Sequence, residues 1–238
     1  MEVFMQEPDN LTATRAPPLT YVPVLQPSAA LTAQQYETVL RASQAVARPP
    51  HGFFLGDGCG TGKGRIIAAI FLEHVFRARR DGQTLRALWV TANARLKRCA
   101  ENDFEAMGIP DVEWVTVLPD SGLGDDSDED FTQENGVAFA TYAHLRTRHA
   151  TYAGWLRRAD VGLIIFDESH LMKNATTSTA KACRALHQQV RPDTKIIYST
   201  ATVASEIGHI GFMDRLGLWG NGTSFGSFAE FRSTIQRY

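Results

Sequence analysis

The sequence predicts an α/β domain in which a mainly parallel central sheet is covered by helices on both faces. Short apolar segments of strand length recur along the chain, and segments with apolar residues at helical spacing separate them. Strands that alternate with helices are joined by right-handed crossovers, which place the strands parallel in one sheet. A chain of 238 residues with 44% hydrophobic residues can bury one substantial core.

The elements follow one another in order along the chain. Residues 1–30 contain five of the ten prolines and little periodicity, which predicts an extended or disordered arm before a single domain at 31–238. The domain is predicted to begin with a helix from Thr32 to about Val46. Strands are predicted near 52–56, 86–91, 113–118, 136–141, 161–166 and 194–199, and helices at 64–79, 93–107, 142–158 and 177–190.

A glycine-rich segment follows the first predicted strand, and residues 52–65 read GFFLGDGCGTGKGR. Gly58, Gly60 and Gly62 can adopt backbone conformations that are closed to residues with a Cβ. Consecutive N–H groups can then point toward one anion, and the helix that follows adds positive partial charge there. Lys63 can reach the β- and γ-phosphates of a nucleotide as a mobile point charge. The segment therefore predicts a phosphate-binding loop.

This segment departs from the phosphate-loop pattern G-x-x-x-x-G-K-[ST] at both ends. Asp57 stands at the position of the first glycine, and Gly64 stands where a magnesium-binding hydroxyl belongs. Water could replace that hydroxyl, because magnesium usually retains several water ligands. Two alternatives stay open: the turn only connects a strand to a helix, or it binds nucleotide weakly and with little metal selectivity.

A pair of carboxylates follows a later apolar strand. The segment Val161–Phe166 is apolar and β-branched, as expected of a strand buried on both faces. Asp167 and Glu168 come next, at the carboxyl end of the strand, where open α/β sheets bind ligands. Asp167 is predicted to hold magnesium, and Glu168 to orient and deprotonate an attacking water. The alternative is that the pair only caps a helix. Together with the lysine loop, the pair predicts a nucleoside triphosphate site.

Composition narrows the class of protein. The net charge of −2 indicates no broad basic face, and the acidic segment 120–130 is most simply a solvated surface loop. No apolar run is long enough to cross a membrane and no signal-peptide pattern begins the chain, so neither a membrane partner nor secretion is expected. Cys59, Cys99 and Cys183 lack metal-ligand spacing, which predicts reduced thiols in an intracellular compartment, cytoplasm or nucleus.

The order of these motifs resembles the first RecA-like domain of superfamily 2 helicases, and the chain is similar to the strawberry notch family. In that family the phosphate loop reads much like GDGCGTGKGR, so Gly64 looks like a family trait. The likeness continues through LTAQQYETV, LWVTANARL, GVAFATYAHL, FDESHLMKNA, YSTATVASE and MDRLGLWGNGTSFGSFAEF. It covers roughly residues 31–236 and implies a RecA-like P-loop NTPase domain that uses ATP and Mg²⁺.

The resemblance implies a role for individual residues. Gln35 is similar to a glutamine that reads the adenine edge, to which an amide can pair bidentately; the alternative is an exposed helix residue. His170 would link the nucleotide site to the coupling motif TAT at Thr200 and Thr202. The implied catalytic residues are Glu168, Asp167, His170 and Lys63, with Asp167 as the magnesium ligand. The implied ATP-binding residues are Gln35, Gly58, Cys59, Gly60, Thr61, Gly62, Lys63, Gly64 and Arg65.

Four further residues resemble positions that contact a nucleic-acid backbone: Thr91, Asn93, Thr141 and Tyr142. Such contacts position a strand without reading its sequence. Each pair could equally cap the end of a strand. The resemblance does not distinguish DNA from RNA as the partner.

The implied function is the ATP-binding domain of a DExH-type, nucleic-acid-stimulated ATPase. Such motors use two RecA-like domains, the second of which supplies arginines that stabilise the transferring phosphoryl group. Only one such domain is recognisable here, so we expect a half-motor or fragment that hydrolyses ATP slowly until a second RecA-like domain or chain joins it. The alternatives are an ATP-responsive regulatory module without turnover and a P-loop phosphotransferase, against which the acid pair and TAT argue.

Overall fold

The computed structural model describes Leu25, residues 27–56, 60–108 and 135–201, the backbone of 115–117, and residues 207–237. Six strands in this part of the chain form one sheet, in the order β1-β6-β5-β2-β4-β3, and every neighbouring pair is parallel. The strands are β1 Gly52–Leu55, β2 Leu85–Thr91, β3 Val115–Val117, β4 Gly136–Thr141, β5 Val161–Phe166 and β6 Lys195–Ser199. The predicted parallel sheet is confirmed.

Helices precede, connect and follow these strands, and four of them begin at a side-chain cap. The α-helices of the described residues are α1 Ala33–Val46, α2 Lys63–Arg80, α3 Leu96–Ala106, α4 Tyr142–Arg157, α5 Ser178–Gln189 and α6 Phe228–Ile235. The Thr32 side chain accepts from the Gln35 N–H, and the Gln35 side chain accepts from the Thr32 N–H, a reciprocal capping box that starts α1. The Thr141 hydroxyl caps α4 in the same position, and Thr177 caps α5.

The sheet separates two apolar cores, as the alternation of side chains along a strand requires. In β2, Ala87 and Trp89 face α1, α2 and α3, whereas Leu88 and Val90 face α4 and α5. All seven residues of β2 are buried, Arg86 and Thr91 included, as expected of a central parallel strand covered on both faces. The prediction of helices on both faces is confirmed.

The described end of the proline-rich segment lies against the domain. Leu25 is 6% exposed and belongs to the core shared by α1 and α2. Its N–H donates to the buried Glu73 carboxylate at 2.5 Å, and its carbonyl accepts from the Tyr36 hydroxyl at 3.0 Å. The segment is therefore tied to both helices at this point. Residues 1–24, residue 26 and the acidic segment 120–130 lie outside the described residues.

The C-terminal aromatic residues pack mainly on one another. Phe212 makes an edge contact with the core residue Tyr198, with ring centroids 5.8 Å apart. Trp219 and Phe231 are 5.4 Å apart, and Phe228 and Phe225 complete this half-buried group. Among the helices of the described chain, none has both the length and the apolar character that a bilayer crossing requires. Cys99 is an exposed free thiol and Cys183 a buried one, and Cys59 lies outside the described residues.

Phe104 fixes α3 to the rest of the domain. Its ring meets Phe71 of α2 edge-on at 5.4 Å and Trp89 of β2 at 5.8 Å, and it is 1% exposed. We expect Phe104→Ala to lower the free energy of unfolding by about 3–5 kcal/mol, because it leaves a cavity that rigid neighbours cannot fill. Urea denaturation measures this. The control is Phe76→Ala on the exposed side of α2, for which we expect a change of about 0.5 kcal/mol or less; equal effects would contradict the assignment of Phe104.

Candidate nucleotide-binding site

Three strand ends converge on one edge of the sheet. Strand β6 lies between β1 and β5, with Leu55 in register with Ser199 and Phe166 in register with Tyr198. The phosphate loop leaves β1 after Leu55, and the acid pair follows β5. Since the strands are parallel, their carboxyl ends bring the loop, the acid pair and the end of β6 together, which is where ligands bind in open α/β sheets.

The loop reaches helix α2 through two left-handed residues. Gly60 has φ +82° and Gly62, the residue that caps α2, has φ +78°. A Cβ at Gly62 would also collide with the side-chain amide nitrogen of Gln35. Glycine is therefore favoured at 62 by the backbone conformation, and it also leaves room for the Gln35 amide. Gly58 and Cys59, which are predicted to bind phosphate, lie outside the described residues.

Gln35 holds the loop to the start of α1. Its Nε2 donates to the Thr61 carbonyl at 2.9 Å, and its Oε1 accepts from the Thr32 N–H at 2.9 Å. An amide has a second hydrogen and a second lone pair, so both atoms could still pair with a base. The contact of Gln35 with adenine stays a prediction. The structure adds that Gln35 lies beside the loop.

Asp167 presents a carboxylate with one oxygen engaged. Its Oδ1 accepts from the Ser199 hydroxyl at 3.2 Å and from the Glu168 N–H at 3.1 Å. Among the described residues, Oδ2 accepts no hydrogen bond. Burial raises the pKa of Asp167, repulsion from Glu168 raises it further, and the Ser199 hydrogen bond and the Lys63 charge act against this. A nearby cation would favour the ionised form.

Glu168 is held in an unusual backbone conformation. It has φ +53° and ψ +44°, a left-handed conformation that costs a residue other than glycine about 1–3 kcal/mol. Its Oε2 lies 3.2 Å from Nδ1 of His170, and that nitrogen lies 3.1 Å from the Thr200 hydroxyl. The structure thus brings Glu168, His170 and Thr200 together beside the loop. Thr202 lies outside the described residues, and the coupling role stays a prediction.

The donor set around the loop suits a hard divalent cation. Magnesium prefers oxygen ligands and binds proteins through one or two carboxylates together with substrate phosphates. Asp167 offers a carboxylate oxygen with no protein partner among the described residues. A second carboxylate, from Asp103 of α3, fills the space beside Gly64 where a side chain would lie. The residues therefore fit a magnesium ion.

The predicted nucleic-acid contacts differ in exposure. Thr91 is 2% exposed and Tyr142 is 4% exposed. The Tyr142 hydroxyl donates to the Asp167 carbonyl at 2.9 Å, so this side chain supports the acid strand rather than facing solvent. Thr141 caps α4 by accepting from the His144 N–H at 3.2 Å, the alternative role that its sequence position allowed. Asn93 is the exposed member of this group.

Asn93 and Arg65 have partners within the protein as well. The Asn93 Oδ1 accepts from the Arg95 N–H at 3.0 Å, which forms a turn before α3 and makes the helix begin later than predicted. Arg65 donates to Asp103 at 3.3 Å and to the Ala30 carbonyl at 3.2 Å. Its guanidinium is thus oriented toward neighbouring elements of the protein, and its contact with nucleotide stays a prediction.

Two residues at the site were missed by sequence reasoning. Ser199 is fully buried and donates to Asp167. The signal was present in the string YSTAT, where an additional hydroxyl precedes the coupling motif. Asp103 had no local signal, because it belongs to the amphipathic pattern of α3 and meets Gly64 only through helix packing.

Comparison with known proteins extends these observations. The family described as P-loop containing NTP hydrolase pore-1 matches residues 4–238. Protein strawberry notch homolog 2 from Homo sapiens is 37% identical over 251 residues, which cover 97% of this chain and 17% of that protein. FORGETTER 1 from Arabidopsis thaliana is 35% identical over 255 residues, which cover 97% of this chain and 19% of that protein. The chain spans less than a fifth of the length of these relatives.

A solved structure is also similar. Dbp5 from S. cerevisiae bound to RNA and ADP BeF3 has a TM-score of 0.48 and 16% sequence identity, over 70% of this chain and 40% of that chain. The parallel sheet and the family match confirm the RecA-like P-loop fold predicted from the sequence.

The charge of Asp167 should lower the stability of the nucleotide-free protein. Because its pKa is raised in the folded state, the ionised form is disfavoured there, and the free energy of unfolding should rise as the pH falls through that pKa. Asp167→Asn retains the Oδ1 acceptor and removes the charge. We expect it to raise the free energy of unfolding at pH 7 without nucleotide or metal and to remove this part of the pH dependence, as measured by urea denaturation.

Asp193→Asn is the matched control for this charge removal. Its hydrogen bonds with Arg191 lower the pKa of Asp193, so the sign is opposite. We expect no gain in stability from that change at pH 7. Loss of stability in Asp167→Asn, or an equal gain in both variants, would contradict the unfavourable burial of Asp167.

Proposed function

We propose that this chain, which belongs to the P-loop containing NTP hydrolase pore-1 family and to the strawberry notch family, is the ATP-binding domain of a helicase-like ATPase. The resemblance to the strawberry notch family predicted from the motifs is confirmed by these relatives. The observation that carries the proposal is the meeting of the lysine loop, the acid pair and the His170–Thr200 contact at one edge of the sheet.

Each side chain has a defined task in this proposal. The N–H groups of the loop and of the first turn of α2 bind the phosphates, and Lys63 neutralises charge on the β- and γ-phosphates. Asp167 would hold a magnesium ion, since its Oδ2 accepts no hydrogen bond among the described residues. The bound ATP–magnesium complex supplies the γ-phosphoryl group and a cation that balances its charge.

Glu168 is proposed to orient the attacking water and to accept its proton as the γ-phosphoryl group is transferred. His170 positions this carboxylate, since its Nδ1 lies 3.2 Å from the Glu168 Oε2. The same nitrogen reaches the Thr200 hydroxyl at the end of β6, so a change at the nucleotide can move the segment that follows β6. Ser199 donates to the Asp167 carboxylate and Tyr142 to the Asp167 carbonyl, so both the side chain and the backbone of Asp167 are held.

Efficient hydrolysis is proposed to need a second RecA-like domain, from the same protein or from another chain. Arginines supplied from outside such a site stabilise the charge of the transferring phosphoryl group and raise the rate by about 10³–10⁵. Arg65 is the arginine adjacent to the loop, and its guanidinium is oriented toward Asp103 and Ala30. Because Arg65 is engaged within the protein, we expect the chain alone to bind nucleotide but to hydrolyse it slowly.

A nucleic-acid strand is the proposed stimulating partner. The exposed Asn93 lies at the carboxyl end of β2 and is followed by the exposed Arg95 and Arg98. Cationic side chains beside an amide suit phosphate contacts, which position a strand without reading its bases. This edge of the sheet also carries the nucleotide site, so a strand bound here could influence hydrolysis.

The second candidate is an ATP-responsive regulatory module without productive turnover. Gly64 favours it, because the hydroxyl that usually binds magnesium is missing from the loop. The two candidates differ in one measurable property. Hydrolysis that a second domain or a nucleic acid stimulates supports the motor, whereas nucleotide binding with no turnover under any of these conditions supports the module.

Lys63→Ala tests the nucleotide site. We expect ATP with magnesium at a hundredfold excess over Kd to stabilise the wild-type chain by about 2.7 kcal/mol, measured as an increase in Tm. Lys63→Ala should abolish this increase, while Lys181→Ala on the exposed side of α5 should retain it. Glu168→Gln should also retain it and remove any hydrolysis. An unchanged increase in Lys63→Ala would mean that the loop does not hold the phosphates.

Removal of positive charge tests the proposed nucleic-acid contact. In the double variant Arg95→Gln/Arg98→Gln, we expect weaker binding to a single-stranded oligonucleotide. The slope of log K against log salt is negative, and its magnitude should fall by roughly 1.4, or about 0.7 for each lost phosphate contact. Arg41→Gln on α1 is the matched control and should leave the slope unchanged. Identical salt dependence in all three proteins would place the strand elsewhere or exclude it.

A further inference from the structure

The glycine at position 64 leaves room for a side chain from α3, and its backbone conformation does not itself call for glycine. Gly64 lies inside α2, and its φ is not in the positive range where glycine is favoured. A Cβ built at this position, however, would collide with Oδ2 of Asp103 and lie 3.2 Å from its Cγ. The carboxylate of α3 therefore occupies the place where a serine or threonine after the loop lysine would put its side chain.

Asp103 is held in this place by contacts on its other side. Its Oδ1 accepts from Nε of Arg65 at 3.3 Å, and Arg65 is itself held by the carbonyl of Ala30. The next residue, Phe104, is buried against α2 and β2, which fixes this turn of α3. Oδ2 is thus directed at the start of α2, and within the described segments of the chain it accepts no hydrogen bond.

We infer that Asp103 replaces the phosphate-loop hydroxyl as a ligand of the nucleotide's magnesium ion, either directly or through a bound water. The inference rests on the proposed function, because it concerns the same nucleotide site. A hydroxyl at this position binds magnesium in the usual loop, and a carboxylate oxygen is an equally hard ligand that magnesium accepts. The loop lacks the hydroxyl because a carboxylate from the neighbouring helix takes its place.

The replacement changes how the site depends on metal. A hydroxyl is neutral, whereas the Asp103 carboxylate repels nucleotide phosphates unless a cation lies between them. Asp103 should therefore strengthen nucleotide binding in the presence of magnesium and weaken it in its absence. A residue that serves only to hold Arg65 would act in the same direction under both conditions.

The experiment measures the Kd of a non-hydrolysable ATP analogue by isothermal titration calorimetry, with magnesium and with EDTA, for the whole chain. In Asp103→Asn, which keeps the shape and the acceptor for Arg65, we expect the gain in affinity from magnesium to fall about ten- to a hundredfold. Affinity in EDTA should be equal to or higher than that of the wild type. Glu105→Gln, an exposed carboxylate on the same helix, should leave the gain unchanged.

A swapped pair provides the second test. Asp103→Ala should lose the magnesium-dependent gain, and Gly64→Ser added to Asp103→Ala should recover it, since the serine then has room. An unchanged gain in Asp103→Asn would overturn the inference, as would equal loss with and without magnesium, or no recovery in the swapped pair. Wild-type binding that ignores magnesium would overturn this inference alone, whereas no nucleotide binding at all would also refute the proposed function.

Discussion

The pairing of β6 with both β1 and β5 is the constraint on which the site depends. Residues 66–166 separate the glycine-rich loop from the acid pair in the sequence, and β1 and β5 do not pair with each other. Strand β6 aligns them, with Leu55 beside Ser199 and Phe166 beside Tyr198. Strand β6 also ends in Ser199 and leads directly to Thr200. The strand that aligns the two halves of the site thus places two hydroxyl groups in the site.

The site concentrates features that are unfavourable for the protein alone. Asp167 is buried with a raised pKa, beside a second carboxylate, and Glu168 has a left-handed backbone conformation. The surrounding sheet can hold both, since β5 is buried along nearly its whole length. Strain of this kind at the end of a stable strand is typical of functional sites. A bound cation and phosphate would offset the charge, which links stability to ligand binding.

Much of the fold could be predicted from periodicity, and the site only in part. Strand β5 and the acid pair were visible because an apolar run that ends directly in two carboxylates is a strong local signal. For Tyr142 the sequence left a nucleic-acid contact and a strand-end cap open, and the structure adds that its hydroxyl donates to the Asp167 carbonyl with 4% of the residue exposed. Tyr142 begins α4 directly after β4. Whether its side chain faces solvent or reaches the end of β5 depends on how α4 packs on the sheet. Local sequence does not encode that choice.

Gly64 illustrates the same limit from the opposite direction. In the sequence Gly64 departs from the phosphate-loop pattern, and the family resemblance marks it as a family trait, but neither comparison gives its physical reason. The structure shows two glycines at the start of α2 that face different helices. Gly62 lies against Gln35 of α1, and Gly64 lies against Asp103 of α3. Each glycine gives room to a polar side chain from a neighbouring helix. The start of α2 is therefore shaped by three helices, and a substitution in α1 or α3 can alter the loop as directly as one within it.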